Sequence, residues 1–344
     1  MRALVPPDKD CSRVCDGGRS GPRRILRYDR SLVATETGHH AVVGARPGAV
    51  AAERADGFGV TRPRPVQSAI RGLFRVAPQL VPHVRKLIWR LVYEVASVGR
   101  RSGRVTVMNY GFAPVGAALE SWPEEDRFGL SLYEKVAGAV ELAGKDVLEV
   151  GCGRGGGASF VFERFAPRSM TGLDLARRAI KRGRSRYGRP GFELVAGDAE
   201  RLPFADGAFD AVLSVETSHC YPDVDRFLAE VYRVLTPEGF LLLADLRDAT
   251  AGDGGAGLGV GDIGTLRSQL TDSGFRCVEE EDLTPGVLLA LRLNTPAVRA
   301  RVEDRAPAFM RTFALAFAAT EGSPMYKRFA EGESTYTRFT LQKV

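Results

Sequence analysis

Apolar positions in the middle of the chain follow two different periods that alternate along the sequence. Short continuous apolar runs predict strands, at Asp146–Val150, Ser169–Asp174, Phe192–Ala196, Phe209–Val215 and 239–245. The stretches between them carry apolar residues at helical spacing and predict helices, at 132–140, 158–165, Arg177–Tyr187 and 224–235. Strands that alternate with helices form a parallel sheet with right-handed crossovers. The pattern therefore predicts a doubly wound α/β fold.

Two further runs close to the C-terminus, 275–283 and 335–343, predict the last two strands. The residues between them, 285–333, have helical spacing and form a predicted helical insert. We assign residues 131–344 to one α/β domain that contains this insert. The preceding residues, 71–130, are expected to form a helical lid.

The chain before this domain has a different character. Residues 1–70 are rich in Arg, Gly, Pro and Ala and show no sustained period, which is typical of a disordered basic tail. Apolar residues recur at helical spacing across 78–97, with Arg85, Lys86 and Arg90 between them. This helix is expected to pack on the body, to border a pocket for an apolar substrate, or to touch a membrane surface peripherally.

Charge and cysteine usage exclude several function classes. The net charge is +6, but residues 1–75 carry +7, so the remainder is close to neutral and gives no reason to expect nucleic-acid binding. No apolar run approaches a membrane span, and residues 1–60 lack the apolar region of a signal peptide. Five scattered cysteines, with Cys11 and Cys15 as the nearest pair, predict a reduced cytoplasmic protein without a metal site.

The turn after the first predicted strand carries the strongest candidate chemistry. Gly151, Gly153 and Gly156 satisfy G-x-G-x-x-G, a pattern that nicotinamide, flavin and methyl-donor enzymes share. Glu149 stands two residues before the first glycine, where a carboxylate favours an amine-bearing ligand and would repel a pyrophosphate. Asp174 ends the second strand, where an acid can accept both ribose hydroxyls.

Together with Asp198 and Ala199 after the third strand, these residues resemble the class I S-adenosylmethionine-dependent methyltransferases. The similar segments are 148–153, 172–174, 197–203 (Gly-Asp-Ala-Glu-Arg-Leu-Pro), 209–212 and 233–239. The resemblance implies a seven-stranded, mostly parallel sheet whose last strand is inserted antiparallel, with S-adenosylmethionine as cofactor. No divalent metal is expected, because no cluster of carboxylates or histidines appears beyond the cofactor acids. It implies cofactor contacts, ordered from the methionine portion through the ribose to the adenine, from Glu149, Gly151, Cys152, Gly153, Asp174, Leu175, Asp198, Ala199 and Glu216.

A narrower resemblance involves segments outside the cofactor half. Residues 108–112, 132–135, 153–159, 216–222 and 328–336 look like the mycobacterial phthiotriol and phenolphthiotriol dimycocerosate O-methyltransferases and the related fatty-acid O-methyltransferases. This chain has Gly151 where those enzymes often carry Ser and Arg154 where they often carry His, and its loop at 249–261 is Gly-rich. The resemblance implies methylation of a hydroxyl on a lipophilic or polyketide-type small molecule.

The candidate catalytic residue is His219, because it is the only histidine after His83. A near-neutral imidazole can remove an alcohol or phenol proton during O-methylation. Two alternatives are that His219 orients the acceptor or that it hydrogen-bonds backbone in a purely structural role.

Aromatic residues on either side of the sheet strands are candidates for the acceptor wall. Tyr110 precedes the sheet, as does Trp122, and Tyr221 follows His219 closely. Phe309 and Phe313 begin a stripe that Phe317 continues at four-residue spacing, on one helix face. Such a stripe forms either core or a hydrophobic wall of the substrate site.

Three other functions remain open from the sequence. A C-methyltransferase of the sterol or ubiquinone type would share the whole cofactor half. A nicotinamide-dependent oxidoreductase fits the glycines and Asp174 but not Glu149 or the segment 197–203. A non-catalytic partner protein with this fold would normally have lost some of the cofactor acids. The sequence leaves the oligomeric state open.

Overall fold

A computed structural model describes residues 107–114, 125–250 and 261–344. The expectations for the tail 1–70, the helix at 78–97, Trp122, Cys11 and Cys15 lie outside the described residues, as does most of the Gly-rich loop. Within the described ranges no helix is long and apolar enough to cross a membrane.

The described residues form seven strands and eight α-helices, numbered here in chain order. The strands are β1 Asp146–Val150, β2 Ser169–Asp174, β3 Phe192–Ala196, β4 Phe209–Val215, β5 Leu235–Asp248, β6 Phe275–Asp282 and β7 Ser334–Lys343. The helices are α1 Arg127–Ala137, α2 Gly156–Phe165, α3 Arg177–Tyr187, α4 Val224–Val234, α5 Ile263–Asp272, α6 Thr284–Arg305, α7 Ala308–Phe317 and α8 Pro324–Ala330. A short 3₁₀ turn, Ser218–Cys220, follows β4.

All seven strands belong to one sheet with the order β3-β2-β1-β4-β5-β7-β6. The first five are parallel, and β7 pairs antiparallel with both β5 and β6. The predicted doubly wound, mostly parallel sheet with an antiparallel last strand is therefore confirmed. Two buried clusters cover its faces, one around Leu132, Val147 and Tyr336 and the other around Leu148, Phe227 and Leu243.

Strand positions were predicted more closely than helix ends. The strands β1 to β4 have the predicted bounds, whereas β5 begins at Leu235 and continues to Asp248 beyond the predicted 239–245. Helix α1 begins at Arg127 and ends at Ala137, five and three residues earlier than the prediction. Asp223 starts α4 as expected, because its side chain accepts a hydrogen bond from the Arg226 amide.

Three helices lie between β6 and β7, and the middle one departs from expectation. Helix α7 carries the aromatic stripe but has no buried residue. Phe309 is 86% exposed and Phe313 is 64% exposed. Within the described part of the chain the stripe is therefore not core, because no described residue buries its phenyl rings.

Candidate functional site

A cavity opens at the carboxyl ends of β1, β2 and β4. The strand order reverses between β1 and β4, and ligands of open α/β sheets bind beside such a switch point. Nine of the residues singled out from the sequence line this cavity, namely Gly151, Cys152, Gly153, Asp174, Leu175, Asp198, Ala199, Glu216 and Tyr221.

The glycine turn is held in shape by the strand beside it. The Gly151 amide donates to the Leu173 carbonyl at 2.8 Å. The Gly153 amide donates to Asp174 Oδ2 at 2.8 Å, and the Ala176 amide donates to Asp174 Oδ1 at 2.7 Å. Gly151 has φ +86°, a left-handed conformation that favours glycine. Asp174 therefore joins the turn after β1 to the turn after β2.

A buried carboxylate lies beneath the turn. Glu149 is 1% exposed, and its Oε1 accepts a 2.5 Å hydrogen bond from the Tyr133 hydroxyl. Its Oε2 is buried and has no hydrogen-bond partner in the described part of the chain. Burial raises the pKa of Glu149 to about 7. A buried carboxylate oxygen without a partner carries a desolvation cost, which a cationic ligand group would relieve.

Tyr133 reaches Glu149 because the first two residues of α2, Gly156 and Gly157, are glycines. A Cβ at Gly157 would lie 1.9 Å from the Tyr133 ring, so only glycine leaves room for the ring at this position. Tyr133 itself lines the cavity. Helix α1 thus contributes a hydroxyl group to the floor of the site.

A histidine–aspartate pair joins the 3₁₀ turn after β4 to the strand β5. His219 Nδ1 lies 2.7 Å from Asp245 Oδ1, and the His219 amide donates to Asp245 Oδ2 at 2.8 Å. Asp245 also accepts from the Ser218 hydroxyl at 2.5 Å and forms a 3.0 Å ion pair with Arg247. The side chains of His219 and Asp245 are 10% and 1% exposed. The ring of His219 is therefore fixed on one side.

These contacts determine the charge on the ring. Burial lowers the pKa of His219, but the charge of Asp245 and its hydrogen bond outweigh burial and raise the pKa to about 10. Although burial raises the pKa of Asp245, the charges of His219 and Arg247 hold it below its ordinary value. The ring therefore differs from the near-neutral imidazole expected from the sequence, because a buried carboxylate stabilises the imidazolium form.

Glu216 contributes a half-buried carboxyl group near the histidine. Its Oε2 accepts from the Tyr110 amide at 2.9 Å and from the Tyr336 hydroxyl at 3.1 Å. Its backbone has φ +55°, which is uncommon outside glycine and is held by the 2.7 Å bond from its amide to the Ala244 carbonyl. Burial raises the pKa of Glu216 to about 7, whereas the charge of His219 opposes that rise.

Comparisons with known proteins agree with this geometry. Residues 148–243 match the family described as a methyltransferase domain. The chain is 37% identical to a phthiotriol/phenolphthiotriol dimycocerosates methyltransferase of Mycobacterium ulcerans, over 76% of this chain and 92% of that protein. It is 35% identical to a fatty-acid O-methyltransferase of Mycolicibacterium smegmatis, over 78% of this chain and 94% of that protein.

The chain belongs to the S-adenosylmethionine-dependent methyltransferases. Among solved structures, a cyclopropane synthase of Mycobacterium tuberculosis has the same fold with a TM-score of 0.57 at 17% identity, over 68% of this chain and 90% of that one. The predicted family and cofactor are confirmed, and the nicotinamide-dependent oxidoreductase no longer applies.

The residues present in the methyltransferase fit S-adenosylmethionine. The partnerless Glu149 Oε2 suits the ammonium group of the cofactor, and the bare backbone of Gly151 and Gly153 allows close approach. Asp174 keeps lone pairs for ribose hydroxyls beyond the two amide bonds that it accepts. Asp198 and Ala199 line the same cavity after β3. These assignments stay predictions.

The methyltransferase places some predicted residues beside the cavity and others away from it. Glu149, His219 and Tyr110 are not part of its lining, although Tyr110 and His219 are linked to it through Glu216 and Cys220. Phe309 and Phe313 are exposed on α7 and do not line the cavity. Their role in binding the acceptor stays a prediction.

Sequence reasoning missed three polar partners in the methyltransferase. Tyr133 and Tyr336 donate to Glu149 and Glu216, and Asp245 holds His219. Tyr133 and Tyr336 fall inside segments that carry the resemblance, and Asp245 ends a predicted strand as Asp174 does. Position could have indicated all three, but nothing in the sequence shows which carboxylate each hydroxyl or ring meets.

Gly151, which stands where the similar O-methyltransferases often carry Ser, is explained by its contact with Thr217. A Cβ at Gly151 would lie 2.5 Å from Thr217 Cγ2 and 2.7 Å from Thr217 Cβ. Thr217 in turn contacts the Tyr221 hydroxyl and the Val150 carbonyl at 3.0 and 3.3 Å. The Thr217 side chain therefore occupies the space that a larger residue at position 151 would need.

Proposed function

We propose that this methyltransferase transfers the methyl group of S-adenosylmethionine to a hydroxyl oxygen of a lipophilic or polyketide-type small molecule. The observation that carries the proposal is the His219–Asp245 pair, with 2.7 Å between Nδ1 and Oδ1. In Ser-His-Asp sites a carboxylate bonded to Nδ1 orients the ring so that the other nitrogen can act as a general base, and the same arrangement supports that role for His219. Such a group serves O-methylation, in which the acceptor loses a proton.

Glu149, the glycine turn, Asp174, Asp198 and Ala199 would hold the cofactor. Once bound, S-adenosylmethionine supplies an activated methyl group on a sulfonium centre. The protein then has to align the acceptor oxygen and exclude water, and an apolar surrounding favours a reaction that discharges a cation. Val107, Met108, Leu173 and Val215 give the cavity such a surrounding.

His219 would accept the acceptor proton at the ring nitrogen opposite to Asp245. In the protein without ligand its pKa is about 10, so the ring is charged at neutral pH. A cation bound at Glu149 and Asp174 opposes that charge and lowers the pKa of His219. Cofactor binding would therefore shift the ring toward the neutral form that can take up a proton.

Tyr110 and Tyr221 would border the acceptor, and Glu216, the predicted cofactor contact, accepts from the Tyr110 amide. Tyr110 packs edge-on against Phe329 of the helical insert, with 6.0 Å between the ring centroids. Burial raises the pKa of the Tyr110 hydroxyl far above its usual range, so that hydroxyl stays neutral and can donate a hydrogen bond. A lipophilic acceptor is supported by the names of the two relatives, which describe a dimycocerosate lipid and a fatty acid.

The test is to identify the product. The protein is incubated with ¹³C-methyl-labelled S-adenosylmethionine and a lipid extract of the source cell, and the labelled product is purified. We expect the ¹³C shift of the new methyl group to be that of a methyl bound to oxygen. A carbon-bound methyl would instead identify a C-methyltransferase of the sterol or ubiquinone type, and binding of the cofactor without transfer to any acceptor would favour a non-catalytic partner protein. A cytoplasmic location stays a prediction from the cysteine content.

A further inference from the structure

Helix α7 is an apolar helix without a covering partner among the described residues. None of its ten residues is buried. Phe309 and Phe313 are 86% and 64% exposed, and Met310 and Phe317 are 39% and 42% exposed. Exposed apolar groups of this size are uncommon on a monomer unless they serve an interaction.

The charged residue of α7 does not interrupt this apolar face. Arg311 turns back to the end of α6, where its guanidinium donates to the Glu303 and Ala306 carbonyls at 2.9 and 3.1 Å. These bonds satisfy carbonyl groups that the C-terminus of a helix leaves open. The phenyl rings of Phe313 and Phe317 stack with 6.2 Å between their centroids. The exposed aromatic rings of α7 therefore lie beside an arginine whose guanidinium is bonded to the end of α6.

The surroundings of this face are cationic. Residues 284–317 contain five arginines and two acids, a net charge of +3. Arg292, Arg299 and Arg305 are exposed on the neighbouring helix α6. Arg292 and Arg305 also form exposed ion pairs with Glu321 at 3.9 Å and with Asp304 at 3.4 Å, contacts that water and salt weaken. Aromatic residues on one side of a helix and arginines around it are typical of segments that lie in the interface of an anionic bilayer.

We propose that α7 docks this methyltransferase on an anionic lipid surface, with Phe309, Phe313 and Phe317 inserted among the lipids and the arginines of α6 facing the headgroups. This inference goes beyond the proposed reaction, and its test measures no methyl transfer, so either proposal can fail alone. The insert also has a link to the site, because Phe329 of α8 packs against Tyr110.

Size favours a lipid surface over a second copy of the chain. A helix of ten residues is about 15 Å long, and three phenyl side chains bury on the order of 500 Å². A stable protein interface needs about 800 Å² from each partner. Bilayer insertion has no such minimum area, because its strength grows with each buried ring and each charge.

The test is vesicle flotation with the full chain. Wild-type protein is mixed with vesicles of phosphatidylcholine alone or of phosphatidylcholine with phosphatidylglycerol. We expect flotation with the anionic vesicles and much less with the neutral ones. In the double variant Phe309→Ser/Phe313→Ser the partition coefficient should fall about 100-fold, since two rings no longer enter the bilayer. Absence of flotation in wild type, or flotation unchanged in the double variant, would overturn the proposal.

Two control variants separate this effect from general surface hydrophobicity and from unfolding. Phe309→Leu/Phe313→Leu keeps apolar side chains and should retain most of the binding. Val278→Ser removes another exposed apolar side chain, 54% exposed on β6, and should bind as wild type does. Equal loss in the Val278→Ser variant would contradict a role specific to α7. Thermal unfolding should be the same for all variants, because the substituted positions are at the surface.

Hydroxyl-radical footprinting tests the other occupants of this face. Phe309 and Phe313 should oxidise readily in dilute protein and become protected when anionic vesicles are added. Protection already present in dilute monomer would mean that another segment of the chain covers α7. Protection that grows with protein concentration, with a matching rise in mass by sedimentation, would mean that a second copy does. Either result overturns the lipid proposal.

Discussion

His219 Nδ1 lies 2.7 Å from Oδ1 of Asp245, and the same carboxylate is held by Ser218 and Arg247. Asp245 lies within β5, and His219 lies in the 3₁₀ turn that follows the neighbouring parallel strand β4. The sheet therefore fixes the carboxylate, which in turn holds the ring of the turn residue. The protonation state of His219 then decides how the site responds to pH.

Replacement of Asp245 by Asn should move the pH dependence of methyl transfer. Asp245 raises the pKa of His219 to about 10, and base catalysis requires the deprotonated ring. Without that charge the pKa of His219 falls, so the rise of kcat with pH should begin at lower pH in Asp245→Asn. The maximal kcat should also fall, because the ring loses its fixed orientation. If the rising limb of the pH–rate profile is the same in Asp245→Asn and wild type, His219 is not the base.

Replacement of Glu149 by Gln should weaken cofactor binding by about 10- to 100-fold, since a hydrogen bond from an ammonium group to a carboxylate contributes roughly 1.5–3 kcal/mol. Titration calorimetry with S-adenosylmethionine measures this directly. Tyr133→Phe is the matched variant, because it removes the 2.5 Å bond to Oε1 but leaves the charge. Its effect should be smaller; equal affinities in wild type and Glu149→Gln would place the ammonium group elsewhere.

Replacement of Gly151 by Ser should destabilise the glycine turn. The new Cβ would meet Thr217 Cγ2 at 2.5 Å in a backbone with φ +86°. We expect a loss of about 1–3 kcal/mol in the free energy of unfolding, typical of overpacking and of strain at positive φ. Denaturant unfolding measures it. The double variant Gly151→Ser/Thr217→Ala should recover part of the lost stability. If it recovers none, the loss comes from backbone strain at positive φ and not from the contact with Thr217.

Stability should fall as pH rises across the neutral range. The pKa of Glu216 is about 7 in the folded protein, against an ordinary value of 4.5, so the native state binds this proton more tightly. Its contribution is present below pH 4.5 and is lost as pH rises through 7. His219 acts in the same direction between its ordinary value of 6.5 and about 10.

The variant Glu216→Gln isolates the first of these contributions. Between about pH 5 and pH 7 its free energy of unfolding should decline less than that of wild type. This window lies between the ordinary pKa of a glutamate, 4.5, and the pKa of about 7 in the folded protein. Urea unfolding at several pH values measures the difference. Parallel curves for the two proteins would show that Glu216 titrates alike in the folded and unfolded states.

The parallel half of the fold could be predicted from the sequence because its strands are buried on both faces. Continuous apolar runs such as Phe209–Val215 have no competing interpretation once helices separate them. Helix α1 was predicted less well, since Arg127 and Phe128 begin it without a side-chain cap. The cofactor residues followed from the positions of Glu149, Gly151 and Asp174 relative to strand ends.

The acceptor side could not be predicted to the same depth. The partners of His219 and Glu216 come from β5 and β7, far along the chain, and only folding brings them together. The exposure of Phe309 and Phe313 is a further limit, because four-residue spacing shows that rings share a face but not what that face meets. Pattern indicates which residues are neighbours on an element, whereas packing decides their surroundings.

The most direct test of the central claim compares His219→Ala with wild type in cofactor binding and in turnover. Calorimetry gives the dissociation constant of S-adenosylmethionine, and transfer of a labelled methyl group to the identified acceptor gives kcat. We predict a dissociation constant close to that of wild type and a kcat lower by about 10²- to 10⁴-fold, the usual contribution of a general base. An unchanged kcat would contradict the assignment of His219 as the base for O-methylation.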